Sequence, residues 1–105
     1  MSSSKEYLDF VLEQLSETEE VSYRAMMGEY IIYCQGKVVG GIYDDRFLVK
    51  PTASAKRLMP EAPCELPYEG ASEMLLVEDI ENRAFLKELL ESSAAELPVP
   101  RKRKK

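Results

Sequence analysis

The chain has 105 residues, a 45% apolar and 31% charged composition and a net charge of −5, the profile of one globular domain and not of a disordered or membrane protein. It contains no histidine and only two cysteines, which removes the Ser-His and Cys-His nucleophile pairs and any CxxC-type zinc site. A chain of this length buries roughly two thirds of its unfolded surface, so neither a disulfide nor a metal is needed for folding.

No apolar run reaches the ~20 residues that cross a bilayer, and the start, Met1-Ser-Ser-Ser-Lys-Glu6, lacks a secretory pattern. The expectation is a cytoplasmic protein without membrane association. Cys34 and Cys64 are expected to be half-buried small hydrophobes. The charge is polarised. Arg101, Lys102, Arg103, Lys104 and Lys105 form a basic end, whereas the first hundred residues set nine Lys and Arg against nineteen Asp and Glu, a charge of −10.

Ser3 or Ser4 is placed to cap a first helix, and Ser3-x-x-Glu6 has capping-box spacing. Leu8, Val11, Leu12 and Leu15 recur at helical intervals, which predicts an amphipathic helix ending near Ser16. Strands follow over 21–27, 30–34, 37–43 and 46–50, all rich in β-branched and aromatic residues. Gln35-Gly36 and Asp44-Asp45 separate three of them at hairpin length, with residues that tolerate positive φ. The result is an antiparallel meander.

Thr52 and the prolines at 51 and 60 bracket a short helix over 53–59. Pro60, Pro63 and Pro67 make a loop with a brief strand near 66–68. Residues 73–78 read as a further strand, and Asp79 is a candidate cap for a last helix over 81–95 whose buried side carries Phe85, Leu86, Leu89 and Leu90. The expected order is α-β-β-β-β-α-β-β-α, an α+β fold with three helices packed on an antiparallel sheet. The domain spans 1–97; residues 98–105 read as a disordered basic tail.

Few residues suggest chemistry. Ser4-Lys5 and Ser54-Ala-Lys56 are explained by capping and a solvated helix, and Asp44-Asp45 by a hairpin tip. Gly40-Gly41 inside a strand predicts a bulge or a close backbone approach, with a groove for a partner chain as the functional alternative. Tyr23, Tyr30, Tyr33 and Tyr43, with Met26 and Met27, suit either packing or an adaptable protein interface. Consecutive apolar residues in the strands leave room for cover on both sheet faces, for which a second copy of the chain is a candidate. No cofactor is expected.

From Arg24 the spacing Arg24-x-Met26-x-Gly28-x-Tyr30-x-x-Tyr33-x-x-Gly36-Lys37, followed by Ile42-x-Asp44-Asp45 and Phe47-Leu-Val-Lys50, resembles the TfoX N-terminal domain family of the TfoX/Sxy competence regulators. The likeness runs from about Lys5 to Ser92. It implies a secretion-chaperone-like α/β layout and a role in transcriptional control without catalysis. Relatives with two domains act with the cyclic-AMP receptor protein at competence promoters; the helical second domain has no counterpart in these 105 residues. Met27 stands where the family carries an aromatic, and Glu29 where it carries a second glycine.

Family membership marks Arg24, Met26, Gly28, Tyr30, Gly36 and Lys50 as signature positions. The leading expectation is a protein-binding regulatory module that contacts a transcription component, with a homodimer as the candidate assembly. Its acidity favours protein over DNA as the direct partner. The alternatives are weak nucleic-acid binding through Arg101–Lys105 and a small-ligand site between the meander and residues 60–68.

Overall fold

The computed structural model describes residues 4–26, 29–67 and 70–97. The elements are α1 (Lys5–Gln14), β1 (Val21–Met26), β2 (Glu29–Cys34), β3 (Lys37–Ile42), β4 (Phe47–Val49), α2 (Ala53–Leu58), β5 (Cys64–Glu65), β6 (Met74–Leu76) and α3 (Arg83–Glu96). This is the expected α+β fold, in the expected order. The strands form one antiparallel sheet, β1-β2-β3-β4-β6-β5.

Both described hairpin tips have the predicted chemistry. Gln35 and Gly36 adopt φ of 56° and 81°, and Asp44 and Asp45 adopt 54° and 57°, so both central residues are left-handed as two-residue hairpins require. Tyr43 and Arg46 close the second tip with reciprocal backbone bonds of 2.8 and 3.0 Å. The first hairpin, β1–β2, aligns Met26 with Glu29; its tip, Met27-Gly28, lies outside the described residues.

Cross-strand rows define which face each residue occupies, because directly opposed side chains share a face. Ile32, Gly40, Val49 and Leu75 form one row, and Tyr30, Ile42 and Phe47 another. These rows face the helices. Leu8, Val11 and Leu15 of α1 and Leu86, Leu89, Leu90 and Ala94 of α3 join Ile32, Phe47 and Val49 in one core. Helix α2 packs on α3, tied by a 3.0 Å bond between the Thr52 and Ser93 hydroxyls.

Caps fix the helix ends, though not always the expected ones. Ser4 caps α1 by accepting from the Tyr7 N–H at 3.1 Å. Ser4, not Ser3, being the cap, Glu6 is one residue short of the N3 position a capping box needs. Helix α3 starts at Asn82, whose Oδ1 accepts from the Phe85 N–H at 3.0 Å. Asp79 instead accepts from Asn82, through its carbonyl at 3.3 Å and its carboxylate at 3.2 Å, so the predicted cap supports the true one. Strand β5 lies two residues before the predicted position, at Cys64 and Glu65, where pairing with Leu75 and Met74 is available.

The Gly40-Gly41 bend is a bulge. Pairing shifts between Ile32 and Tyr33, so that Ile32 faces Gly40 while Tyr33 faces Val38, leaving Val39 as the extra residue. A Cβ on Gly40 would lie 2.2 Å from the Leu48 carbonyl oxygen, and one on Gly41 2.7 Å from the Tyr43 ring. The chain itself fills the space over both glycines, and the alternative of a partner groove there is set aside.

Candidate interaction face

The three helices cover one face of the sheet. The outward face divides in two. Towards β4 and β6, Leu48 and Met74 are buried, and Val38, Tyr43, Lys50, Pro67 and Met74 border one depression of about 370 Å³. Towards β1, the outward positions are Ser22, Arg24 and Met26 on β1, Glu29, Ile31 and Tyr33 on β2, and Val38 and Gly41 on β3. All of β1 from Ser22 to Met26 is exposed, and Ile31, Tyr33 and Val38 are half-buried. The outcome is a strip of apolar and tyrosine side chains with Arg24 at one edge and Lys50 at the other.

Of the signature positions, the structure brings Arg24, Met26 and Lys50 to this face. Met26 is 46% exposed. Tyr30 lies on the opposite, helix-side face, packed against the core and in edge contact with Tyr23 at a ring separation of 6.0 Å. Gly36 is exposed at a hairpin tip, and Gly28 is outside the described residues, as is the whole of Arg101–Lys105. The positions the sequence pattern did not single out are Ile31 and Val38. Their signal was the alternation of β2 and β3, obscured by the bulge.

The start of β1 is fastened from three directions. The Gln35 N–H donates to the Glu20 carbonyl at 2.9 Å, the Cys34 thiol donates to the Glu19 carbonyl at 3.6 Å, and the Glu19 N–H donates to Glu91 Oε2 at 3.3 Å. Lys87 Nζ bonds the same oxygen at 2.8 Å. The Lys87 bond, then the Glu19 N–H, hold the Glu91 carboxyl below its usual range, and the Glu91 bond raises Lys87. Burial, then the Glu91 and Glu20 charges, push the Cys34 thiol up. Glu20 itself sits at φ 58°, a left-handed residue that turns the chain into the strand.

Other residues with conceivable chemistry have structural partners. Ser4 caps α1, and Lys5 pairs with Asp9 at 3.5 Å. Ser54 is buried, not on a solvated helix face, and donates to the Glu96 carboxylate, which draws that carboxyl's pKa down. Arg46 binds Glu65 and the Leu66 carbonyl, which anchors the proline loop to the β3–β4 hairpin. Cys34 is buried as a small hydrophobe; Cys64, expected half-buried, is exposed because β5 is a two-residue edge strand, and both are free thiols. Among the described residues no cluster of three or more His, Cys, Asp or Glu is placed to hold a metal ion, and no helix is long and apolar enough to cross a membrane.

A six-stranded antiparallel sheet with three helices on one face, and an apolar and tyrosine-bearing strip left outward, defines an α+β domain with an open sheet face. The sequence profile of the TfoX N-terminal domain matches residues 13–95, and the chain belongs to that family. It is also 34% identical, over 99% of its length and 91% of the other's, to an uncharacterized 12.7 kDa protein in the trpE 5' region of Spirochaeta aurantia. No solved structure matches the chain.

Proposed function

We propose that this chain is a non-enzymatic, protein-binding regulatory module of the TfoX type, which docks a component of the transcription machinery on its outward sheet face. The observation that carries the reading is the placement of all three helices on one side. This leaves Arg24, Met26, Ile31, Tyr33 and Val38 exposed or half-exposed beside one another. Aromatic, Met and Arg side chains are the types enriched at protein interfaces, and a strip of half-buried sheet residues loses little conformational freedom on docking. Membership of the TfoX N-terminal domain family supplies the transcriptional context.

The acidic body favours a protein over a nucleic acid as the direct partner. Nineteen Asp and Glu against fourteen Lys and Arg would repel a phosphate backbone over most of the surface.

The test is affinity capture from the source cell with the intact chain and with Tyr33→Glu and Val38→Glu, each first checked for an unchanged melting transition. The expected result is recovery of RNA polymerase or one of its regulators by the native chain and loss of at least roughly tenfold with either variant, as for central interface residues. Equal recovery by native and variant chains would refute the face, and recovery of no transcription component would refute the function.

A further inference from the structure

We propose that the open edge of β1 pairs antiparallel with β1 of a second copy of this chain, about a two-fold axis at Ser22, joining two sheets into one. This concerns the edge of the sheet and shares only Arg24 with the proposed docking face; Val38→Glu and Tyr23→Pro act on one or the other alone.

The two ends of the sheet differ. At one end β5 is two residues long, a blunt edge that offers little to pair with. At the other, β1 is six residues long, bonds only to β2, and carries no proline, lysine or register break. Proline, lysine and bulges are among the devices by which natural sheets protect an edge, and Arg24 is the one charge the strand carries. The Gln35 N–H bond to the Glu20 carbonyl sets the alternation of the antiparallel ladder. Glu20, Ser22, Arg24 and Met26 turn their backbone groups towards β2, while Val21, Tyr23 and Ala25 turn theirs outward.

Three registers can be weighed against the sequence of the strand. An axis at Arg24 sets two arginines opposite each other, and like charges in direct opposition destabilise a pair. An axis at Tyr23 sets Ser22 against Arg24 and leaves that cation without a counter-charge. An axis at Ser22 sets Val21 opposite Tyr23 of the second copy and brings Glu20, the turn residue just before the strand, beside the second copy's Arg24, twice over by symmetry. These are a β-branched/aromatic pair and an opposite-charge pair, both stabilising across strands. Glu20 and Arg24 are exposed and neither forms an ion pair among the described residues. With Glu20 just before β1 and Arg24 within it, the edge is complementary in charge to a reversed copy of itself.

The neighbouring surface fits the same register. A groove of about 560 Å³ runs between the end of α1 and β1, bordered by Leu12, Leu15, Thr18, Val21 and Tyr23. Tyr23 of the second copy, opposite Val21 and on the helix side, enters this groove. Thr18 is only 7% exposed, and its hydroxyl lacks a hydrogen-bond partner among the described residues. An unmet buried hydroxyl is costly, and a tyrosine hydroxyl in the groove is a chemically matched partner.

The experiment is sedimentation of the full chain from micromolar to millimolar concentration. The expected mass is twice the 12.0 kDa of one chain. Tyr23→Pro removes an outward N–H without touching the ladder to β2, and it is expected to give a folded monomer. Arg24→Glu, a change at an exposed residue that leaves folding intact, weakens association roughly tenfold by replacing attraction with repulsion at two symmetric pairs. Glu20→Arg combined with Arg24→Glu restores it. A monomer at every concentration, a dimer unchanged by Tyr23→Pro, or no recovery in the charge-swapped double variant would each overturn the proposal. Val38→Glu, which lies on the outward face, is expected to leave the dimer mass unchanged, so loss of docking and loss of pairing read out separately.

Discussion

Gly40→Ala isolates the tightest backbone approach in the sheet. The added Cβ would stand 2.2 Å from the Leu48 carbonyl oxygen, 2.9 Å from the Val49 Cα and 3.1 Å from the Leu48 carbonyl carbon. All three are backbone atoms of β4, so no side chain can swing aside. Bringing the oxygen to the shortest distance that real Cβ atoms tolerate, 3.0 Å, requires β3 and β4 to part by about 0.8 Å at a central position. Such a gap stretches the ladder bonds around the Gly40–Val49 pair beyond useful length and loosens Phe47 and Val49 against the helices. Two weakened hydrogen bonds at ~1 kcal/mol each, with ~1 kcal/mol of overpacking strain, give a loss of about 3 kcal/mol. For a domain of this size each kcal/mol moves the melting midpoint by roughly 4–8 °C, so a fall of about 15 °C is expected, matched in urea by a lower midpoint at unchanged slope. Gly36→Ala is the control. Its Cβ meets nothing within 4 Å, and only its φ of 81° is strained, at a cost of about 1–2 kcal/mol. A Gly40→Ala chain no less stable than Gly36→Ala would refute the argument that close approach of β4 is what requires glycine.

Further outcomes follow from the ion pairs, the thiols and the basic end. Glu91→Gln removes a carboxylate that Lys87 and the Glu19 N–H hold below its ordinary pKa of 4.5; a depressed carboxyl contributes stability that is complete above its unfolded pKa and lost as pH falls through its folded one. The gap in denaturation midpoint between native and variant chains should therefore be constant near neutrality and close below about pH 4, and a gap that widens in acid would contradict the pairing. With an aromatic disulfide reagent Cys64 should react at once, whereas Cys34, buried and with its thiol pKa raised, should react only as the chain unfolds; two fast thiols would refute the burial of β2. Any duplex-DNA binding by the intact chain at low salt should have a salt slope no steeper than about −4.5 for five cations and vanish in a chain ending at Pro100, and equal binding by both would exclude the tail as the contact.

The meander was legible because turn chemistry is local. Gln35-Gly36 and Asp44-Asp45 adopt positive φ for reasons confined to those residues, and the alternation on either side then fixes the pairing. The last helix shows the limit of local reading. Asp79 and Asn82 are both good caps, and the choice between them depends on where α3 must start for Leu86, Leu89 and Leu90 to reach the core. Strand β5 was misplaced for a related reason, since a two-residue strand has no pattern of its own and is defined by the partner, Met74 and Leu75, that it finds.

The interaction face was harder to see, and the bulge explains why. In an unbroken strand the run Lys37-Val38-Val39-Gly40-Gly41-Ile42 would send odd and even positions to opposite faces throughout, and consecutive valines would imply burial on both sides. With Val39 inserted as the extra residue, Lys37 and Val39 point to the helices along with Ile42, and Lys37 Nζ bonds the Ala94 carbonyl of α3 at 2.8 Å. Val38 and Gly41 are left outward, and of the two only Val38, beside Tyr33, presents a side chain. The apolar run therefore does not require a second layer of helices, and three of the tyrosines divide accordingly: Tyr43 covers Gly41, Tyr30 joins the core, and Tyr33 stays half-buried on the outward face. A single extra residue in β3 thus decides which side chains the sheet keeps for itself and which it offers outward.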